Sequence, residues 1–322
     1  TVELQGAEAL PNAWFVQLKS APAADGTAAA TLRSEKSAFR SAAKKAGANF
    51  TERRSFDTLW NGLSITASRS DIAKIRMLPG VTAVWPVAVL DAPPVEASPS
   101  PELFTALAMT GADVAQSELD YTGAGVKVAV MDTGIDYHHP DLGGCFGPGC
   151  RVAYGHDFVG DAFNADPSSA AYNPVPAPDG DPDDCNGHGT HVAGIVGANG
   201  SVKGVAPDVT FGAYRVFGCG GSTTADIMIA AMERALADGM QVLNMSIGSS
   251  FQWPQYPTAQ AADRLVNRRM VVVASIGNSG ANGLYSAGAP GLGKKVIGVA
   301  SFDNSHVLLR TFDVTPAGLT IG

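Results

Sequence analysis

The first ninety residues alternate between strand-like and helix-like patterns of apolar positions. Residues 13–18 form an apolar run of strand length, and residues 31–46 place apolar side chains at near-helical spacing before Gly47, a typical helix end. The remaining predicted elements are strands at 49–56 and 59–67, a helix that begins at Ser70 or Asp71, and a strand at 82–89. The order βαββαβ predicts a small α+β ferredoxin-like unit.

A different pattern begins at Val126. Apolar runs of strand length there alternate with helical segments rich in small residues, and the runs are apolar throughout rather than at every second position. Strands of this kind are buried on both faces, so the sequence predicts an α/β fold with an open parallel β-sheet covered by helices. The strands are predicted at 126–131, 209–216, 241–245, 270–274 and 296–300, and the helices at 188–198, 225–238 and 259–268.

Two segments are predicted to lie outside these elements. Residues 91–101 contain four prolines, which cannot pair in a sheet and which disfavour a helix, so we expect a linker there. Residues 161–186 are rich in Asp, Pro, Ser and Ala, and are predicted to form a surface insertion. The chain is thus expected to comprise residues 1–90, a proline-rich linker at 91–104, and residues 105–322.

Composition and charge exclude several classes of function. The 322 residues are 45% hydrophobic and 16% charged, which indicates packed globular structure. A net charge of −8 and the absence of a basic stripe argue against a nucleic-acid partner. The apolar runs are far shorter than the roughly 20 residues of a membrane-spanning helix, so no membrane partner is expected. The first residues lack the basic and apolar regions of a signal peptide, so we expect any such peptide to have been removed.

Four cysteines suggest an oxidising compartment. Cys145 and Cys150 bracket Phe-Gly-Pro-Gly, a turn-forming spacer that brings them within bridging distance and leaves Cys185 to pair with Cys219. The alternatives are four buried free thiols or a zinc site, the latter without any Cys-x-x-Cys pair to support it. We favour two disulfides and a secreted protein.

Two motifs supply an acid and a base. Asp132 follows the apolar strand Val-Ala-Val-Met and precedes Thr-Gly, which places it at the carboxyl end of a strand, where functional groups collect in open α/β sheets. His188 opens the segment His-Gly-Thr-His-Val-Ala-Gly, which predicts an imidazole at a helix N-terminus. The helix dipole disfavours a charged imidazole there and a nearby carboxylate favours it, which suits a general base.

Together these motifs resemble the subtilisin-like serine proteases, the subtilases, in which the acid precedes the histidine along the chain. The resemblance implies a serine endopeptidase acting on proteins or peptides without a required cofactor, with Asp132 and His188 as triad members and His191 as a packing or hydrogen-bonding residue. Asn278, in Ser-Ile-Gly-Asn-Ser-Gly, is implied to stabilise the oxyanion. The implied substrate-binding residues are Ser246, Ile247 and Gly248 on one wall of the cleft and Gly220, Gly221 and Ser222 on the other.

The resemblance also gives the front of the chain a role. Subtilases carry a βαββαβ propeptide that assists folding and leaves its C-terminal tail in the substrate cleft. Residues 1–90 are therefore expected to be a propeptide that acts as an intramolecular inhibitor, with a processing site in the 91–104 linker. The alternative is a permanent N-terminal domain.

Two features depart from the family pattern. The loop 197–204 is shorter than the subtilisin loop that wraps a calcium ion, so no metal site is assigned even though Asp141 matches the position of one ligand. The acidic run Asp179, Asp181, Asp183 and Asp184 offers calcium ligands, but such runs are more often solvated loops, and calcium is left unassigned.

The second and larger departure is the absence of the Gly-Thr-Ser-Met-Ala segment that supplies the nucleophile in this family. Residues 307–322 resemble the start of a protease-associated domain that some large secreted subtilases insert before the serine. The sequence thus predicts the front of a longer protease, 105–322 being the N-terminal part of its catalytic domain and inactive alone. Two alternatives remain, a catalytically inactive subtilase-like binding protein and a metal-dependent hydrolase that uses His188 and His191.

Overall fold

The structure is a computed structural model that describes residues 8–94 and 103–302, together with the backbone of residues 312–314 and 319–321. Within these residues, two main β-sheets organise the chain, and a pair of short antiparallel strands follows them. No helix in these ranges combines the length and the apolar character needed to cross a membrane.

The first sheet is antiparallel and built mainly from residues 8–94, which we call the N-terminal segment. Its strand order is β2-β3-β1-β4-β8, and two helices pack on one face. The predicted βαββαβ order is the order observed. The elements are β1 (Ala9–Leu18), α1 (Ala29–Lys45), β2 (Thr51–Phe56), β3 (Gly62–Thr66), α2 (Arg69–Ile75) and β4 (Val81–Asp91), and β8 (Ser222–Thr224) joins from later in the chain.

The second sheet is parallel, with strand order β11-β10-β9-β5-β7-β6. Its strands lie between helices, as the continuous apolar runs predicted, and the α/β fold class is confirmed. The elements are α3 (Leu103–Thr110), α4 (Ala112–Ser117), β5 (Lys127–Asp132), β6 (Val152–Asp157), α5 (His188–Gly197), β7 (Thr210–Arg215), α6 (Ala225–Ala237), β9 (Val242–Met245), α7 (Pro257–Asn267), β10 (Val271–Ser275) and β11 (Ile297–Val299), followed by β12 (Phe312–Val314) and β13 (Leu319–Ile321).

Three local predictions were wrong. Helix α2 begins earlier than Ser70, because the Ser68 side chain caps it by accepting the Asp71 N–H at 3.1 Å. Asp91 was expected in an unpaired linker, yet β4 continues through it and pairs with Ser222; the prolines begin only at Pro93. Strand β6 was missed because its sequence, Val-Ala-Tyr-Gly-His-Asp, lacks an apolar run.

The N-terminal segment packs on helices α6 and α7 through one continuous apolar core. Buried Phe15 and Trp85 from its sheet contact the ring of Tyr256, at 6.0 and 6.3 Å between centroids. The Tyr256 hydroxyl accepts the Ala88 N–H at 2.8 Å and donates to the Pro86 carbonyl at 3.0 Å. Every polar atom brought into this interface by Tyr256 is thereby bonded, as burial requires.

Buried carboxylates on α6 hold the same interface. Asp226 is fully buried and accepts hydrogen bonds from Arg53 Nε at 3.0 Å and from the Ser64 hydroxyl at 2.8 Å. Burial alone would raise the pKa of Asp226, but the guanidinium groups of Arg53 and Arg54 lower it below its ordinary value. The carboxylate is therefore ionised and depends on arginines of the N-terminal segment for compensation.

Candidate active site

Asp132 is the last residue of β5, in the middle of the parallel sheet. Its side chain is completely buried, because the strands on both sides and α5 surround it. Oδ1 accepts the N–H of Thr133 at 2.8 Å and lies 2.7 Å from His188 Nδ1. The structure thus joins the two residues that the motifs singled out.

His188 is the first residue of α5, as predicted. Gly187 precedes it with φ at +104°, a left-handed conformation that glycine adopts without strain. Gly189, the next residue, packs so closely on the β5 turn that a β-carbon there would overlap the Gly134 carbonyl oxygen. These glycines let the helix approach the end of β5 and bring the imidazole onto Asp132.

The pair is electrostatically coupled. The hydrogen bond to Asp132 raises the pKa of His188, and burial opposes that rise. Burial raises the pKa of Asp132, and the bonds to His188 and to the Thr133 N–H oppose it. The carboxylate orients Nδ1 as the proton donor, which leaves Nε2 to act as a base and stabilises the imidazolium that forms.

Asp184 organises the loop before His188, a role that the sequence analysis missed. Its Oδ1 accepts the N–H groups of Asn186 and Gly187, both at 2.9 Å, and Oδ2 accepts the N–H of Thr190 at 2.9 Å. Oδ1 also accepts the Thr133 hydroxyl at 3.0 Å, which ties the loop to the residue after Asp132. An Asp four residues before a helix-opening His, across an Asn-Gly turn, was the available signal.

One predicted substrate-binding segment is engaged by the N-terminal segment. Strand β4 runs antiparallel to β8, with Leu90 opposite Thr223 and Asp91 opposite Ser222. The ladder continues beyond β8, since the Ala92 N–H donates to the Gly221 carbonyl at 3.1 Å. Gly220, beside it, is exposed. The Gly220–Ser222 segment therefore pairs with an extended strand of the N-terminal segment, and its role in substrate binding remains a prediction.

The other predicted segments leave the same edge of the sheet as Asp132. Ser246, Ile247 and Gly248 follow β9, and Asn278 follows β10. Because β5, β9 and β10 are parallel neighbours, their carboxyl ends share one edge. Ile247 is buried, Ser246 accepts a hydrogen bond from the Asn244 amide at 3.0 Å, and Asn278 is exposed in a turn. The roles of these residues remain predictions.

Both predicted disulfides are present, Cys145–Cys150 and Cys185–Cys219, with Cα separations of 5.5 and 5.0 Å. The free-thiol and zinc alternatives are therefore wrong. The second bridge joins the loop before His188 to the residue before Gly220. It lies over the buried Arg215, which donates to Cys185 Sγ at 3.0 Å. The loop before His188 and the Gly220–Ser222 segment are thus covalently linked.

Acidic residues that match or suggest calcium ligands have protein partners. The carboxylate of Asp141 accepts the Ser201 hydroxyl at 2.7 Å and the Val202 N–H at 3.0 Å, so it closes the short 197–204 loop directly. In the acidic run, Asp181 accepts the Tyr137 hydroxyl at 2.6 Å. Among the described residues, one group has the spacing of a metal site, Asp161 with Cys185 and Cys219, and its two sulfurs are bonded to each other.

The metal-dependent alternative required His188 and His191 to act together. His191 lies on the exposed side of α5, whereas His188 Nδ1 is engaged by Asp132. The geometry favours His188 as a base oriented by a carboxylate over a pair of metal ligands.

Comparison with known proteins identifies a family for this chain. The Subtilase family profile matches residues 123–314. The chain is 38% identical over 279 residues to the minor extracellular protease Vpr of Bacillus subtilis, covering 84% of this chain and 33% of Vpr. It is 37% identical over 201 residues to subtilisin DY of Bacillus licheniformis, covering 60% of this chain and 62% of that protein. The chain thus spans about a third of Vpr and under two thirds of subtilisin DY.

A solved structure shares the fold. It is a serine-to-alanine variant of the epidermin leader peptide processing serine protease (EpiP) from Staphylococcus aureus, which superposes with a TM-score of 0.63 at 20% identity and covers 91% of this chain and 70% of EpiP. Since the family profile covers more than half of the chain, this protein belongs to the subtilase family of serine peptidases.

Proposed function

We propose that the complete protein is a secreted serine endopeptidase that hydrolyses peptide bonds in proteins. The observation that carries this proposal is the contact between the buried Asp132 carboxylate and His188 Nδ1 at 2.7 Å, at the carboxyl edge of the sheet. Membership of the subtilase family supports it. The two disulfides and the extracellular relative Vpr support secretion.

In the proposed mechanism, a serine from sequence after residue 322 attacks the peptide carbonyl carbon, and His188 Nε2 accepts the hydroxyl proton. Asp132 holds the imidazole in the required tautomer and stabilises the imidazolium. The Asn278 amide donates to the oxyanion of the tetrahedral intermediate. Collapse of that intermediate breaks the C–N bond, and the imidazolium gives its proton to the leaving amine. Water then releases the acyl group by the same steps.

The N-terminal segment is proposed to be an inhibitory propeptide. The antiparallel pairing of β4 with β8 supports this, because an extended chain on the predicted cleft wall excludes a substrate from it. The shared core with α6 and α7 supports an assembly that holds this strand in place. Processing is placed within residues 91–104. The chain 1–322 is expected to be inactive alone.

Labelling of the complete secreted protein with a fluorophosphonate tests this proposal. We expect covalent labelling at one serine after processing, hydrolysis of a protein substrate such as casein, and no loss of activity with a chelator of transition metals. Loss of both labelling and hydrolysis in His188→Ala, with normal secretion, is expected. A processed, folded protein that neither reacts with the probe nor cleaves casein would support a subtilase-like binding protein instead.

A further inference from the structure

The side chain of Asp91 contacts the cleft wall in a specific way. Asp91 and Ser222 face each other across the β4–β8 ladder, and the Ser222 hydroxyl donates to Asp91 Oδ1 at 2.6 Å. The adjacent ladder bond runs from Ala92 to Gly221, so Asp91 and Ser222 form a non-hydrogen-bonded pair, in which side chains lie closest. This strand is held on the wall by a side-chain bond in addition to its backbone.

Ser222 is fixed from its other side by the 161–186 insertion. Its N–H donates to the side-chain oxygen of Asn164 at 3.2 Å, and its carbonyl accepts the Ala165 N–H at 2.9 Å. Asn164 is itself buried and tied to Asn173 by reciprocal backbone bonds at 3.0 and 2.8 Å. The insertion therefore bonds the backbone of Ser222 on the side opposite β4, and this sets the position of the Ser222 hydroxyl.

The fit between Asn164 and the wall is close. A β-carbon on Gly221 would overlap the Asn164 side-chain amide, and Gly221 has φ at +91°. The insertion and the Gly220–Ser222 segment thus pack together without room for a side chain at position 221. These contacts lie outside β4 and do not depend on Asp91, so they would persist after the N-terminal segment departs.

The Asp91 carboxylate is well suited to this bond. Asp91 is exposed to solvent, and its Oδ1 accepts a short charge-assisted hydrogen bond. Desolvation of the charge is therefore limited, and the bond contributes net affinity. Ser222, by contrast, is only 2% exposed while β4 is bound.

Other acidic groups share this end of the cleft. Burial raises the pKa of Glu8, and the neighbouring Asp166 and Asp91 carboxylates raise it further. Glu8 and Asp91 belong to the N-terminal segment, whereas Asp166 belongs to the insertion and would remain beside a substrate.

We propose that Ser222 forms a specificity subsite that selects a side-chain hydrogen-bond acceptor, Asp or Asn, at the substrate residue opposite it, with Asn164 and Ala165 as positioning residues. This inference rests on the proposed function, because it takes β4 as a guide to how a substrate lies on the wall. It adds a chemical class of substrate: extended peptides that carry Asp or Asn at one position on the amino side of the scissile bond.

A positional peptide library measured on the processed, complete enzyme tests this subsite. Fluorogenic peptides carry Asp, Asn, Ala or Lys at each of the four positions before the scissile bond in turn. We expect one position at which both Asp and Asn exceed Ala by about 10-fold in kcat/KM. Ser222→Ala should reduce that ratio to about 1, and Ser222→Thr should keep it.

Matched measurements separate this inference from the proposed function. Ser117→Ala, an exposed serine on α4, should leave every ratio unchanged. Hydrolysis without an Asp or Asn preference at any position, or a preference that survives Ser222→Ala, overturns the subsite and leaves the peptidase proposal intact. An enzyme that cleaves none of the peptides and fails to react with a fluorophosphonate overturns the proposed function instead.

Discussion

Glu233 on α6 makes docking of the N-terminal segment depend on pH. Its carboxylate accepts the N–H groups of Thr58 and Leu59, at 3.2 and 2.9 Å, across the interface. Burial raises the pKa of Glu233 to about 7, and the Asp57 carboxylate adds to this, whereas the two N–H groups and Lys36 oppose it. On the proposed release of the segment, Glu233 would become solvated and its pKa would fall toward the ordinary value of 4.5.

The direction of this pH dependence follows from proton linkage. The docked state has the higher pKa, so it binds more protons, and its advantage is complete below about pH 4.5 and is lost as pH rises through about 7. A difference of about 2.5 pKa units corresponds to roughly 3 kcal/mol. Docking should therefore weaken by about this amount between pH 4.5 and pH 8, which favours release of the segment at neutral and higher pH.

Glu233→Gln tests this reasoning, because glutamine keeps the acceptor oxygen and removes the titration. The free energy of unfolding of chain 1–322 would be measured in urea from pH 4.5 to 8 for the wild type, Glu233→Gln and the exposed control Glu118→Gln. The difference in the free energy of unfolding between the wild type and Glu233→Gln should change by about 3 kcal/mol across this range. The corresponding difference for Glu118→Gln should not change with pH. If the free energies of unfolding of the wild type and Glu233→Gln changed with pH in the same way, Glu233 would not be the source of the pH dependence.

Three further predictions concern stability and the catalytic loop. Arg53→Ala leaves the fully buried carboxylate at the start of α6 short of a charge partner, and should lower the free energy of unfolding by about 3 kcal/mol in urea titrations. Gly189→Ala should lower kcat/KM of the complete enzyme at least about 100-fold because α5 must move off β5, whereas Gly194→Ala, in open space on the same helix, should leave it unchanged. Replacement of Cys185 and Cys219 by Ser, which opens a bridge spanning 34 residues, should cost about 3 to 4 kcal/mol by thermal unfolding; an unchanged Tm would contradict this.

The fold was predictable where burial shapes the sequence over a whole element. Strand β5 is apolar from Val128 to Met131 because it lies in the middle of a sheet covered on both faces, and α5 is rich in small residues because it packs against the β5 turn. Strand β6 lies at the sheet edge and carries half-buried polar residues, so its pattern was too weak to detect. The family resemblance supplied what local patterns lack, namely which Asp meets which His.

Pairing between distant segments was less predictable. The proline content of residues 91–101 suggested an unpaired linker, but Asp91 and Ala92 precede the prolines. Asp91 pairs with Ser222, 131 positions later, and Ala92 pairs with Gly221. The role of Asp184 was missed because an acidic run is ordinarily a solvated loop; here its hydrogen bonds lower the pKa of Asp184 despite burial. Such contacts depend on tertiary structure rather than on local periodicity.

Asp132 and His188 are proposed to form the acid–base half of a serine peptidase. The decisive measurement is kcat/KM for peptide hydrolysis by the complete, processed protein and by two histidine variants three positions apart on α5. We predict that His188→Ala lowers kcat/KM at least about 1,000-fold, whereas His191→Ala stays within a few-fold of the wild type. Equal losses in the two variants, or an active His188→Ala enzyme, would contradict the account.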